Sequence, residues 1–195
     1  MTSAYVGLGV DVSNYTGEIA PEQIACLVSN GIGYLIAGTQ VPETTRQQLT
    51  AARDGGLTIG AYVYLYFDDP FFKARVQRGI DIALEFDCIL WLDVEDEEHT
   101  LSHIDVIAKL RVAQMACEDV GVSVGIYTSR SKWTKLTGNS DQFQALPLWD
   151  ANYDVPREFG TYFQPYGGWA RPTIHQFKGS NRDYCGVLTD LNWAE

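Results

Sequence analysis

The sequence predicts a single-domain α/β protein over residues 1–195, a compact TIM-like barrel of about eight strands with helices concentrated in its first two thirds. Three observations carry this. Strand-like and helix-like stretches alternate five times from the N-terminus, which implies parallel pairing with right-handed crossovers. After Gly138 strand-like pieces continue without helical periodicity between them. The length suits one substantial core and is short for two domains.

The elements follow in order. Tyr5 to Val12 reads as a buried strand and Pro21 to Asn30 as a helix stopped by Gly31. Tyr34 to Thr39 is the second strand, followed by a helix from Thr44 to Asp54 closed by Gly55 and Gly56. Leu57 to Phe67 is the third strand, after which Asp68, Asp69 and Pro70 supply cap and first-turn chemistry for a helix reaching Phe86. The fourth strand is Cys88 to Glu95, with a helix from Ser102 to Asp119 behind it. Ser123 to Thr128 is the fifth, and Ser129 opens a brief helix around Trp133. The last three strands are Pro147 to Ala151, Thr173 to Phe177 and Gly186 to Leu191. An open doubly wound sheet is the competing architecture. Against its dinucleotide-binding form, GLGVDVSNYTG places Asp11 where the phosphate-binding glycines are needed. Neither a P-loop, a GxSxG elbow nor an HExxH helix occurs.

Composition narrows the function. The chain is 46% hydrophobic, 20% charged and 12% aromatic, an ordinary globular balance with extra aromatics. Its net charge of −11, without a Lys/Arg stripe, removes the electrostatic footprint of a nucleic-acid or anionic-membrane binder. The N-terminus has neither the basic nor the apolar region of a signal peptide, and no stretch approaches the roughly 20 apolar residues of a membrane span. Cys26, Cys88, Cys117 and Cys185 lie far apart and are expected to act as small buried hydrophobes. His99 and His103 have helical spacing but lack a third ligand at a recognisable distance, so no metal is expected.

The strand ends hold the chemistry. In CILWLDVEDEEH, alternation turns Trp91, Asp93 and Glu95 to one face and Leu90, Leu92 and Val94 to the other. Two carboxyls then share a face with Cα atoms about 6.5 to 7 Å apart, at the barrel end where active sites sit. Asp96, Glu97 and Glu98 are expected to form the acidic first turn of the next helix. Asp11, Thr39 and Gln40, the tyrosines at 62, 64 and 66, Tyr127, Trp149, His175, Gln176, Asp190 and Asn192 reach the same rim. An acid-lined mouth with aromatic side chains fits a glycosidase: ring faces stack on sugars, a protonated carboxyl donates to the glycosidic oxygen, and an anion steadies the oxocarbenium-like transition state. Glu95 is the expected general acid, with Asp93 and Asp11 raising its pKa by their charge.

Seven motifs in order resemble glycoside hydrolase family 25, the Chalaropsis-type lysozymes: GVDVSNYTG, GLTIGAYVY, LWLDVE, GIYTS, LWDANY, IHQF and TDLN. The resemblance implies a (β/α)5(β)3 barrel that works without a cofactor. Its implied reaction cleaves the β-1,4 bond between N-acetylmuramic acid and N-acetylglucosamine in peptidoglycan. It further implies Asp11, Asp93, Glu95 and Asp190 as the acidic set, with Glu95 as the catalytic acid and Tyr62 as an active-site tyrosine. Trp149 and Tyr153 are implied in the sugar-binding wall, and Tyr64, Tyr127 and Gln176 complete the expected substrate-binding set. The expected partner is peptidoglycan or a related polysaccharide, met by a monomer at the extracellular cell wall after secretion or release by lysis. The chain departs from the family at LIAGTQVPE, where a Lys and a Thr-Glu-Gly run are usual, at Val63, where a His is usual, and at Tyr15-Thr16, where a Trp-Gln pair is common. An inactive sugar-binding barrel and a hydrolase of another N-acetylated polysaccharide such as chitin are the alternative readings.

Overall fold

The computed structural model describes residues 5–181 and 184–195. Eight strands close into a barrel in chain order: β1 (Gly7–Val12), β2 (Ile32–Gly38), β3 (Thr58–Tyr64), β4 (Ile89–Asp93), β5 (Val124–Thr128), β6 (Leu148–Ala151), β7 (Ile174–Asn181) and β8 (Thr189–Ala194). Strands β1 to β7 pair in parallel, whereas β8 is antiparallel to both neighbours, β7 and β1. Among the described residues no helix intervenes between β7 and β8, and a connection this short lets the chain only double back. The helices are α1 (Pro21–Ser29), α2 (Pro42–Asp54), α3 (Phe72–Phe86), α4 (His103–Glu118), α5 (Arg130–Thr137) and a single turn, α6 (Phe159–Tyr162). That last turn is the one α-helical piece among the described residues after α5, in keeping with a helix-poor final third, and four residues are too few to show a helical period.

Strand alternation divides the core in two. Leu35, Ala61, Leu90, Leu92, Val94 and Ile126 face outward and pack against Ile24, Leu27, Leu49, Val76, Ile80 and Leu110 of the helices. Tyr34, Ile36, Trp91, Tyr127, Trp149 and Ile174 fill the barrel. Large rings fit inside because small residues stand opposite them. Gly9 pairs with Tyr34, and a Cβ there would lie 2.1 Å from the ring. Gly125 pairs with Trp91, and a Cβ would lie 2.5 Å from the indole. Either substitution would overpack the interior.

Local chemistry sets the helix ends that frame the mouth. Ser102 and Asp105 form a capping box on α4, and Ser129 caps α5 through the Lys132 N–H. Helix α5 stops at Gly138, whose φ of 64° a side chain would strain. Asp69 accepts from the Phe71 N–H at 2.8 Å, so the expected cap chemistry is present, with α3 itself beginning at Phe72.

The cysteine expectation is corrected. Cys26 of α1 and Cys185 in the β7–β8 connection form a disulfide, while Cys88 and Cys117 are free thiols. The partners are 159 residues apart, so sequence spacing holds no trace of the pairing.

Candidate active site

At the C-terminal end of the parallel strands, β1 and β8 place Asp11 directly opposite Asp190. Like charges in that relation repel, and amide side chains make the pair tolerable. Gln176 Nε2 donates to Asp11 Oδ2 at 2.8 Å and to Asp190 Oδ2 at 3.3 Å. Asn192 Nδ2 donates to the same Asp11 oxygen at 2.7 Å and is oriented by Trp149 Nε1, which donates to Asn192 Oδ1 at 2.8 Å. The carbonyl end of Gln176 accepts from Tyr127 and Tyr153 hydroxyls at 2.8 and 2.6 Å. One amide thus joins two carboxylates to two tyrosines.

Asp93 closes β4 and is 4% exposed, with Oδ1 buried and without a hydrogen-bond partner. Glu95 lies two residues beyond the strand end. It lines an open groove of about 800 Å³ together with Tyr64, Tyr66, Arg75, Glu97, Lys132 and Lys135. Of the two carboxyls, Glu95 is therefore the one that can meet a substrate.

Burial comes first in every shift here. It raises Asp11 to about 7, with Asp190 and Glu95 adding to the rise and the amides of Asn192 and Gln176 opposing it. Burial, then the charges of Glu95 and Asp11, push Asp93 well above the carboxylate range. Glu95 is also raised by burial; the Lys132 ammonium opposes this, while Asp190 and Glu97 add to it. The charges pressing on Glu95 are thus Asp190 and Glu97, in place of the expected Asp93 and Asp11. Those two carry raised pKa values themselves and feel the charge of Glu95.

Several expected residues change role. Trp149 was expected in the sugar-binding wall but is 1% exposed, packed edge-to-face on Tyr62, Trp91 and Tyr127. It pairs with Tyr127 and Ile174, whereas Ala151 stands opposite Gln176. That is two residues, about 6.6 Å, deeper than the amide, so Trp149 is barrel floor. Gln176, 2% exposed, and Tyr127 are buried supports for Asp11, Asp190 and Tyr153. Tyr62 and Tyr64 are half-buried on the inner face, and Tyr153 is exposed at the rim. Asp96 does not start α4. It is buried and accepts from the Phe67 and Glu98 N–H groups at 2.9 and 3.0 Å, tying the loops after β3 and β4 together. Glu97 bridges to Lys132 and Lys135. Alternation could not reveal this wall, because its lysines come from a helix; their i, i+3 spacing after β5 was the available signal. Tyr66 joins it from the β3 side, its ring 4.4 Å from that of Tyr64 and under the Arg75 guanidinium.

His99 precedes α4 and accepts from the Leu101 N–H, while His103 contacts the Lys135 carbonyl. Among the described residues no group of three His, Cys, Asp or Glu side chains is placed to hold a metal, and no helix is long and apolar enough to cross a membrane.

Comparison with known proteins gives the family of the barrel. The family model for lysozyme-like protein 1 matches residues 2–177. The chain belongs to this lysozyme-like family of glycosidases. It is 42% identical over 210 residues to a probable GH family 25 lysozyme 5 of Dictyostelium discoideum, covering 98% of this chain and 92% of that one. A probable GH family 25 lysozyme 3 of the same organism is 28% identical across 97% of this chain, which spans 41% of that relative's length. The structure of a muramidase from Trichobolus zukalii superposes with a TM-score of 0.77 at 22% identity, covering 98% of this chain and 94% of that one. It shares the barrel fold.

Within this lysozyme-like barrel the sequence departures fall in different places. Val63 points outward onto Gly79 of α3, so that change belongs to the helical layer. Tyr15 is solvent-exposed. Gln40 alone of the three reaches the inner rim, its amide oxygen buried beside Gly38, where the Tyr62 ring also packs.

Proposed function

We propose that this chain is an N-acetylmuramidase that hydrolyses the β-1,4 bond between N-acetylmuramic acid and N-acetylglucosamine in peptidoglycan. The observation that carries this is the position of Glu95, the carboxyl open to the groove above a buried acidic set. Glu95, its proton retained by burial, protonates the glycosidic oxygen as the bond to the anomeric carbon breaks. Asp11 and Asp190 lie where negative charge would steady the developing oxocarbenium ion. Asp93, buried and pushed up by the charges of Glu95 and Asp11, is a protonated neighbour that adds polarity to the same end of the barrel. Tyr62, Tyr64 and the exposed ring of Tyr153 offer sugar contacts, while Tyr127, Trp149 and Gln176 hold those groups in place. The Cys26–Cys185 disulfide favours an oxidising setting and therefore action at the cell wall outside the cytosol.

The test is digestion of peptide-stripped peptidoglycan beside chitin oligomers, with new reducing ends identified by mass spectrometry. Fragments ending in reducing muramic acid are expected. Cleavage of chitin alone would transfer the activity to another N-acetylated polysaccharide. Binding without cleavage of either would make the barrel a sugar-binding protein.

A further inference from the structure

A second hollow adjoins the groove. It has a volume of about 750 Å³, within the usual range of ligand pockets, and lies over the ends of β5 and β6 between α5 and the 162–166 segment. Lys135 lines both spaces.

The charge on this wall runs against the rest of the molecule. The chain carries 25 acids against 14 Lys and Arg. Helix α5, RSKWTKLT, nevertheless has Arg130, Lys132 and Lys135 within six positions and contains no acid. Lys132 Nζ lies 2.9 Å from Glu97 Oε1, and Lys135 bonds the other oxygen of the same carboxylate, so two cations share one anion. Arg130 Nη1 bonds the neutral amide oxygen of Gln164. Asp150, the acid in the second hollow, is turned inward. It is 3% exposed, and both its oxygens accept tyrosine hydroxyls, Tyr166 at 2.6 Å and Tyr162 at 3.1 Å. The exposed remainder of the lining is hydroxyl, amide and ring.

We infer that Arg130 and Lys135 bind a carboxylate-bearing peptide substituent of the glycan, received in the hollow between α5 and the 162–166 segment. This rests on the muramidase reading and deepens it. Muramic acid carries a lactyl ether whose carboxyl continues into a peptide with carboxylates of its own, whereas chitin has no anionic group. The cationic wall therefore distinguishes the two glycans. Its guanidinium can take a carboxylate through paired hydrogen bonds, while the ammonium acts as a point charge.

The test is calorimetric titration of the purified protein with muramyl dipeptide and, separately, with tri-N-acetylchitotriose, at low and raised salt. The double variant Arg130→Gln/Lys135→Gln is expected to weaken muramyl dipeptide about tenfold and chitotriose far less. The charge-conserving Arg130→Lys/Lys135→Arg protein should recover most of the loss, and raised salt should weaken only the dipeptide. Absence of dipeptide binding by the parent protein, an unchanged dipeptide affinity in the double variant, or an equal loss for both ligands would each overturn the proposal. Glycan turnover, assayed separately, decides the muramidase reading: selective dipeptide binding without cleavage would sustain this surface and remove the activity.

Discussion

The Gln176 amide nitrogen stands 2.8 Å from Asp11 Oδ2, and the same nitrogen reaches Asp190 across the β1–β8 pairing. Donors from one side chain thus hold two carboxylates that face each other on adjacent strands. Gln176→Glu keeps the shape but puts a third carboxylate against the first two. The expected result is loss of most activity and a melting temperature lower by on the order of 10 °C at neutral pH, the cost of an unpaired buried charge. The melting deficit should shrink on acidification as the carboxyls take up protons. A melting curve equal to the parent's at neutral pH would remove Gln176 from this role.

Glu95 opens to the groove, while Asp93 is buried at the end of β4. Glu95→Gln should abolish turnover with circular dichroism and melting temperature close to the parent's, since the side chain is not part of the packed core. Asp93→Asn should lower kcat severely with a smaller effect on KM, because Asp93 is buried away from the sugar contacts and belongs to the acidic set around the reacting bond. Near-normal turnover in Glu95→Gln would sink the proposed chemistry.

Much of this site was legible in the sequence, and the reason is the period of a strand. LWLDVE sends Trp91 and Asp93 inward whatever the neighbouring strands do, and the order of elements requires β1, β4 and β8 to meet at one rim. Depth is different. Trp149 and Gln176 both read as inward, but only the β6–β7 register sets the indole beneath the amide. Strand β8 was expected at Gly186 to Leu191 and runs Thr189–Ala194, because the apolar Val187 and Leu188 belong to the connection anchored through Cys185. The lysine wall was missed because the i, i+3 spacing of Lys132 and Lys135 puts them on one helix face without saying where α5 packs that face.

Lys132 and Glu97 pull the Glu95 proton in opposite directions. An ammonium favours the carboxylate form, so Lys132→Gln should raise the Glu95 pKa and move the alkaline limb of the kcat profile to higher pH. Glu97→Gln removes a repelling charge and should move that limb lower. Equal or absent shifts, measured in pH-rate profiles on one glycan, would show that another group sets the limb.

The disulfide closes a loop spanning a sequence separation of 159 residues. On the chain-entropy account, constraining the unfolded chain over that span contributes about 5 kcal/mol. Cys26→Ser/Cys185→Ser should therefore melt well below the parent, and the reduced parent should match the variant. A variant as stable as the oxidised protein would mean that strain in the bridge offsets its entropic effect.

Asp11 gives a stability prediction of unusual sign. Its pKa in the fold is about 7 against an ordinary 3.8, so the folded state binds this proton more tightly than the unfolded chain does. The stabilisation linked to that proton is complete below the unfolded value and declines as pH rises from about 4 through about 7. Asn cannot titrate, and its amide oxygen can accept the Gln176 and Asn192 donors that now reach Asp11 Oδ2. Asp11→Asn should accordingly gain stability relative to the parent as pH climbs through that window, by at most about 4 kcal/mol for a shift of some three pH units. Its turnover should fall sharply, because the charge that burdens the fold is the charge proposed to steady the cation. Parallel denaturation series at acid and neutral pH would decide it: a stability difference that stays constant with pH would show that Asp11 does not titrate in this window.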